Sequence, residues 1–217
     1  MQTLLNPGIP TFQELTMPAT LPLATLHGAV LDFIRDREDV VLFGAYAVNA
    51  YVPEPRMTQD IDLLSTRMEA VATDLRDHLA ARFRIALRLR DLGTDKGLRL
   101  YQLQKEGNRH LVDIRSVGIL PDSRRLAGIL VLAPADLVAA KALAFHQRRG
   151  QPKSGTDWRD LALLLLAFPD LRADDGPVAE CLRNLDASPA ALDTWRELAG
   201  QTWVADDDGD NKDGDWI

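Results

Sequence analysis

Asp60 and Asp62 stand one residue apart in the stretch Arg56-Met57-Thr58-Gln59-Asp60-Ile61-Asp62-Leu63-Leu64, with apolar residues between and after them. A charge taken into a core is costly unless it is paired or binds a metal. Side chains alternate along a strand, so a strand over Gln59–Ser65 puts both carboxylates on one face and Ile61 and Leu63 on the other. Two carboxylates about 7 Å apart on a pleated face can jointly hold a hard divalent cation, Mg²⁺ or Mn²⁺. Without a cation they repel, and one tends to hold a proton. With 32 acidic residues in 217, chance alone supplies about five acidic-x-acidic pairs, so spacing needs context. The plainer reading is a solvated strand end beside a turn.

Two further features supply that context. Asp113, in His110-Leu111-Val112-Asp113-Ile114-Arg115, is a third carboxylate set among strand-forming residues. Three carboxylates from two strands can hold one or two metal ions and leave an oxygen to draw a proton from a hydroxyl, as in-line phosphoryl or nucleotidyl transfer requires. Taken alone, Asp113 reads as a surface residue paired with Arg115. Upstream, the apolar Val40–Phe43 runs into Gly44 and a short helix over Ala45–Tyr51. A strand–glycine–helix junction aims backbone N–H groups and the positive end of a helix at one spot, which suits a phosphate. A tight turn with no ligand is the simpler alternative.

The elements that must position these residues follow from periodicity. Helical spacing covers Ala24–Asp36 and Met68–Phe83, and strands are expected over Asp39–Phe43, Gln59–Ser65 and Arg109–Val117. Arg82–Arg90 alternates between apolar Phe83, Ile85, Leu87, Leu89 and basic Arg82, Arg84, Arg88, Arg90, which reads as an edge strand with a basic face. That face is solvated, or else it tracks a nucleic-acid backbone. Leu98–Gln104 returns as its hairpin partner. Beyond Pro134 the pattern is helical, over Pro134–Arg149, Thr156–Phe168, Pro177–Leu185 and Pro189–Thr202. The expected class is therefore α/β (α+β) with a mixed sheet, followed by an α-helical bundle. The expected organisation is an irregular arm over 1–22, an α/β domain over 23–130, a helical domain over 131–204 and a disordered acidic tail over 205–217.

An apolar strand, a glycine with a small residue, a helix and then Asp-x-Asp on the next strand resembles the signature of the nucleotidyltransferase (polymerase-beta-like) superfamily. More narrowly, Gly44–Leu64 resembles the Gly-Gly…Arg-x-Ser/Thr-x-Asp-x-Asp-Leu pattern of the AbiEii toxin-like nucleotidyltransferases, bacterial proteins of toxin–antitoxin and abortive-infection systems. Leu132–Leu165 resembles that family's helical segment, a Lys followed by Arg and then an Arg/Lys-Asp-x-x-Asp-Leu helix start, matched by Lys141, Arg148, Asp157 and Asp160. The resemblance spans about residues 40–168. It implies transfer of a nucleoside monophosphate from an NTP to a hydroxyl, with a tRNA 3′ end as acceptor and a cognate antitoxin as partner. Asp60, Asp62 and Asp113 would hold the metal and do the chemistry. Gly44, Ala45, Arg56, Thr58, Lys141, Arg148 and Asp157 would bind the nucleotide.

The chain departs from the pattern in two places. Ala45 replaces the second Gly or Ser, and Thr156 stands where a basic residue is expected, with Lys153 four positions before Asp157. Each residue matched to the pattern also has a plainer role. Lys141, Arg148, Arg149 and Lys153 suit the end of a helix dipole, Asp157 suits a helix start, and Arg56 and Thr58 could brace Asp60. The rival functions are a small-molecule, antibiotic-type nucleotidyltransferase, a catalytically silent binding protein with the same fold, and an Asp-x-Asp glycosyltransferase. The last would need a longer chain and no strand–glycine–helix element.

Bulk properties narrow the setting. Six Asp and one Lys over 205–217 account for −5 of the net −7, so the remainder carries only −2 and neither demands nor excludes RNA. The run Asp-Asp-Asp-Gly-Asp-Asn-Lys-Asp-Gly-Asp fails as a calcium loop on register. The lone Cys181 forbids an internal disulfide and a cysteine-built zinc site. The N-terminal residues lack the pattern of a secretion signal, and the apolar run Leu161–Phe168 is too short for a bilayer. A cytoplasmic setting is expected.

Overall fold

The computed structural model describes residues 21–93 and 97–204; the expected arm up to residue 20 and the acidic tail lie outside them. The chain divides into two compact units, Met1–Leu137 and Val138–Ile217.

The first unit carries a helix α1 (Leu23–Ile34), strand β1 (Val40–Phe43), a short helix α2 (Gly44–Asn49), β2 (Ile61–Ser65), α3 (Met68–Phe83), β3 (Leu87–Asp91), β4 (Leu98–Gln102), β5 (Arg109–Ser116), β6 (Ser123–Leu126) and β7 (Ile129–Leu132). The seven strands form one sheet in the order β3-β4-β5-β2-β1-β7-β6. It is mixed, since β2 runs parallel to β5 and β1 parallel to β7 while the remaining pairs are antiparallel. Its central strands bury Val40, Val41, Ile61, Leu63, Leu111, Val112 and Ile114, and α3 covers them with Val71, Ala72, Leu75 and Leu79 at helical spacing. Each large side chain so buried contributes roughly 1.5–3 kcal/mol. Between them they hold the carboxylate-bearing strands in register.

The expected strand over Arg82–Arg90 is corrected. Arg82 and Phe83 finish α3, and Arg84 closes it in the left-handed conformation, at φ 54°. Arg82 pairs with Asp32 at 3.6 Å. Only Arg88 and Arg90 lie exposed on the edge strand β3, so the four-arginine stripe does not exist as one face. The β6–β7 hairpin is an addition to the expected strands. Its two-residue loop, Ala127-Gly128, has φ 48° and 84°, the pairing that right-twisted hairpins favour. An alanine at a position where Asn or Asp is usual hides that signal.

The second unit is helical beyond the start of α4 (Pro134–Gln147): α5 (Pro152–Ala167), a 3₁₀ turn (Pro169–Arg172), α6 (Pro177–Asn184) and α7 (Pro189–Ala199). Pro152, Pro177 and Pro189 each open a helix, where the missing N–H costs nothing. Ser188 caps α7 through its side chain, which accepts from the Ala191 N–H at 3.2 Å. The core of this unit is Leu161, Leu164, Leu165, Val178, Leu182, Trp195 and Leu198. No helix among the described residues is long and apolar enough to cross a membrane.

Candidate active site

Strand register lines up one row of side chains across four strands: Phe43 opposite Asp62, Asp62 opposite Asp113, and Asp113 opposite Arg99. Asp60 lies one residue before β2, and along β2 Ile61 and Leu63 are buried while Asp62 stays partly open. The expected alternation of carboxylates and core residues is therefore present. Thr58 braces Asp60, its hydroxyl lying 3.3 Å from the Asp60 Oδ1. Asn49, at the end of α2, holds the backbone of Arg56 with two hydrogen bonds, Arg56 N to Asn49 Oδ1 at 3.0 Å and Asn49 Nδ2 to Arg56 O at 2.8 Å. Both ends of the approach to Asp60 are thus tied down.

Gly44 has φ +68°, and a Cβ built on it would lie 2.0 Å from Asp62 Oδ2. The glycine is required twice, by its left-handed backbone and by the carboxylate seated against its Cα. Ala45 follows with its side chain buried in the core.

The third strand contributes more than its carboxylate. Between the pairs Leu100–Val112 and Tyr101–His110 the register of β4 and β5 shifts, leaving Leu111 as an extra residue. Such a bulge turns the following side chain to the other face. His110, three positions before Asp113, consequently points to the same side as Asp113. His110 Nε2 lies 2.8 Å from Asp113 Oδ1, and Nδ1 lies 3.3 Å from Asp60 Oδ2. The ligand atoms of Asp60, His110 and Asp113 all lie within 4.8 Å of one another; Asp62 is not part of that group.

Asp113 is only 6% exposed and is gripped by Arg99, whose Nε donates to Oδ1 at 2.6 Å and Nη2 to Oδ2 at 2.7 Å. Burial alone would raise its pKa, but hydrogen bonds from His110 and Arg99 outweigh it and hold the carboxyl at about 2. The same hydrogen bond to Asp113 raises the pKa of Arg99. The partner expected from sequence, Arg115, instead lies over the Phe43 ring, with its Cζ 5.3 Å from the centroid. Behind this face the buried His27 bonds to the Tyr46 hydroxyl at 2.7 Å. Burial lowers the pKa of His27 to about 4, against the attraction of Asp60, and raises that of Tyr46 to about 12.

The family-matched residues of the second unit form ion pairs with one another. Lys141 sits in mid-helix on α4, not near its end, with Nζ 2.7 Å from Asp160 and 3.8 Å from Asp157. Arg148 Nη1 donates to Asp157 Oδ2 at 2.7 Å. Asp157 and Asp160 are buried on α5, which starts at Pro152; the helix-start reading of Asp157 is therefore corrected.

Sequence reasoning passes over His110 and Arg99. A period of two places residue 110 opposite residue 113, and no sequence pattern marks the bulge that reverses this. Arg99 becomes a partner only through strand register.

Several solved structures are similar to this chain in fold. The Megavirus polyadenylate synthase is similar over 72% of this chain with a TM-score of 0.56 and 14% identity; this chain spans only 34% of its length. The antibiotic-resistance factor ANT(2″)-Ia is similar over 78% of this chain and 94% of its own, with a TM-score of 0.51 and 14% identity. JHP933 from Helicobacter pylori is similar over 81% and 86%, with a TM-score of 0.50 and 16% identity. A comparison with functionally curated sequences finds no match. The fold class is thus the nucleotidyltransferase fold, a mixed sheet followed by helices. Residues 29–202 match the family described as "Nucleotidyl transferase AbiEii toxin, Type IV TA system", and the chain belongs to that family. It is a nucleotidyltransferase enzyme.

Proposed function

We propose that this enzyme moves a nucleoside monophosphate from an NTP to the hydroxyl of an RNA acceptor, a tRNA 3′ end, in a metal-dependent reaction, and that it acts as the toxin of a toxin–antitoxin pair with a cognate antitoxin. The observation that carries the reading is the row of Asp62, Asp113 and Arg99 with Asp60 and His110 beside it, set against a glycine that only a missing side chain permits. The donor chemistry fits a divalent ion, because carboxylates and an imidazole converge within 4.8 Å on one face. Asp60 and Asp62 would hold it, with the His110–Asp113 pair alongside. When bound, Mg²⁺ or Mn²⁺ offsets the charge of the phosphate oxygens and of the leaving pyrophosphate.

The rest is the work of the chain. The acceptor oxygen forms a bond to the α-phosphorus as the bond to the bridging oxygen of pyrophosphate breaks, and the hydroxyl proton passes to a carboxylate of the site. Asp113, with both oxygens engaged and its pKa near 2, is a poor proton acceptor. Asp60 takes the proton instead, with Thr58 orienting its carboxylate. Gly44 and Ala45 cradle phosphate, and Arg56 contacts it.

The test is incubation with each labelled NTP, Mg²⁺ or Mn²⁺ and total RNA, beside an Asp60→Asn/Asp62→Asn double variant. Label in tRNA-sized RNA with wild type alone supports the proposal. Label in no RNA, together with metal-dependent NTP binding, moves the acceptor to small molecules. Wild type and variant behaving alike in both assays would end the catalytic reading of these carboxylates.

A further inference from the structure

His110 bridges two carboxylates, and its two nitrogens are not equivalent. Both oxygens of Asp113 accept from Arg99, and the Nε2 at 2.8 Å from Oδ1 sits where an N–H donates to the same carboxylate. A neutral imidazole bonded in this way carries its lone pair on Nδ1, and Nδ1 faces Asp60 Oδ2 at 3.3 Å. Two lone-pair donors then converge across a short gap. That separation matches adjacent ligands of an octahedral ion, which stand about 3 Å apart when each bond is about 2.1 Å.

Asp113 is badly placed to be a ligand itself. Arg99 takes both of its oxygens in a bidentate pair, and His110 takes a second bond from Oδ1. A carboxylate that receives the far N–H of a histidine is the usual outer partner of a metal-bound imidazole; it fixes the tautomer and the ring plane. Without the bulge at Leu111, His110 would face away from Asp60 and Asp113.

We propose that His110, rather than Asp113, joins Asp60 as a ligand of the divalent ion, with Asp113 and Arg99 positioning the ring, and that its nitrogen makes the site favour a first-row transition ion over Mg²⁺. The inference rests on the metal-dependent reading of the site. Mg²⁺ takes oxygen ligands and gives up its waters reluctantly, whereas imidazole suits first-row transition ions better. Arg99 offsets the charge of Asp113, so the ion meets the carboxylate of Asp60 and a neutral donor side by side.

The experiment uses Mn²⁺ alone as probe, on the full chain without nucleotide. Pulsed electron paramagnetic resonance of bound Mn²⁺ is recorded with histidine labelled in its ring nitrogens, for wild type, His110→Gln and Asp113→Asn, each checked for folding by thermal melting. Histidine-nitrogen coupling to Mn²⁺ is expected in wild type and absent in His110→Gln. Asp113→Asn should keep the coupling while weakening Mn²⁺ binding by about 10- to 100-fold. In competition, His110→Asp should lower the preference for Mn²⁺ over Mg²⁺ by about tenfold. Bound Mn²⁺ without nitrogen coupling in wild type overturns the proposal, and needs no variant to fold. If wild type also transfers nucleotide with either ion, the broader reading survives that loss. A wild type that binds neither ion overturns both.

Discussion

Two charged groups of this protein serve different ends. In the first unit Asp60, Asp62 and Asp113 lie together, with Arg99 and His110 bonded to Asp113. In the second, Asp157 and Asp160 are matched by Lys141 and Arg148 through ion pairs at 2.7 Å. A buried group whose charges cancel is a structural joint: removing one partner strands the other. A group of carboxylates gathered to receive a divalent ion is completed only when that ion is bound. The difference teaches where a substitution should cost activity and where it should cost stability.

The sharpest break is Asp60→Asn/Asp62→Asn. It should abolish nucleotidyl transfer by at least about 10³-fold, with a smaller fall in melting temperature than Lys141→Met causes. Labelled incorporation and a thermal melt on the same sample check both halves. A large loss of stability would mean that this group is as structural as the other.

Gly44→Ala should follow, lowering transfer by about 10²-fold, because the new Cβ would drive into Asp62 Oδ2 at 2.0 Å. The left-handed backbone adds a stability cost of about 1–2 kcal/mol, visible in a urea melt.

Lys141→Met tests the other side. It removes the ion pair of Asp160, which is fully buried, and should cost about 3–5 kcal/mol in a denaturant melt. If the melt is unchanged while NTP binding is lost, the lysine serves nucleotide rather than structure.

Smaller effects separate the groups by pH. His27 has its pKa lowered to about 4 by burial, from 6.5. The unfolded chain therefore takes up the proton first, and stability falls as pH drops from 6.5 toward 4, by about 3 kcal/mol. His27→Gln should flatten that part of a pH-dependent melt. Asp113 is depressed from 3.8 to about 2, so its contribution is complete above 3.8 and is lost as pH falls through 2. It is worth about 2 kcal/mol, and Asp113→Asn should remove that acid limb.

Chemistry-bearing residues on regular elements are legible in the amino-acid sequence. Asp60 and Asp62 alternate with Ile61 and Leu63 as period two requires, and Gly44 ends an apolar strand. Legibility fails wherever the backbone leaves the regular period. Arg84 in a left-handed cap ends a helix inside what reads as a strand, and Ala127 at positive φ conceals a hairpin. Asp157 lies one turn inside a helix that a proline starts earlier.

What the sequence determined by itself was the paired carboxylates, the strand–glycine–helix junction and the alternation of α/β and helical regions, because local spacing and propensity carry that information. Only the tertiary structure decided which cation meets which carboxylate. Arg99 reaches Asp113 because β4 and β5 pair in that register, and His110 reaches Asp60 because one extra residue in β5 reverses its face. Register and bulges are set by how the whole sheet packs, and no short stretch of chain encodes them alone.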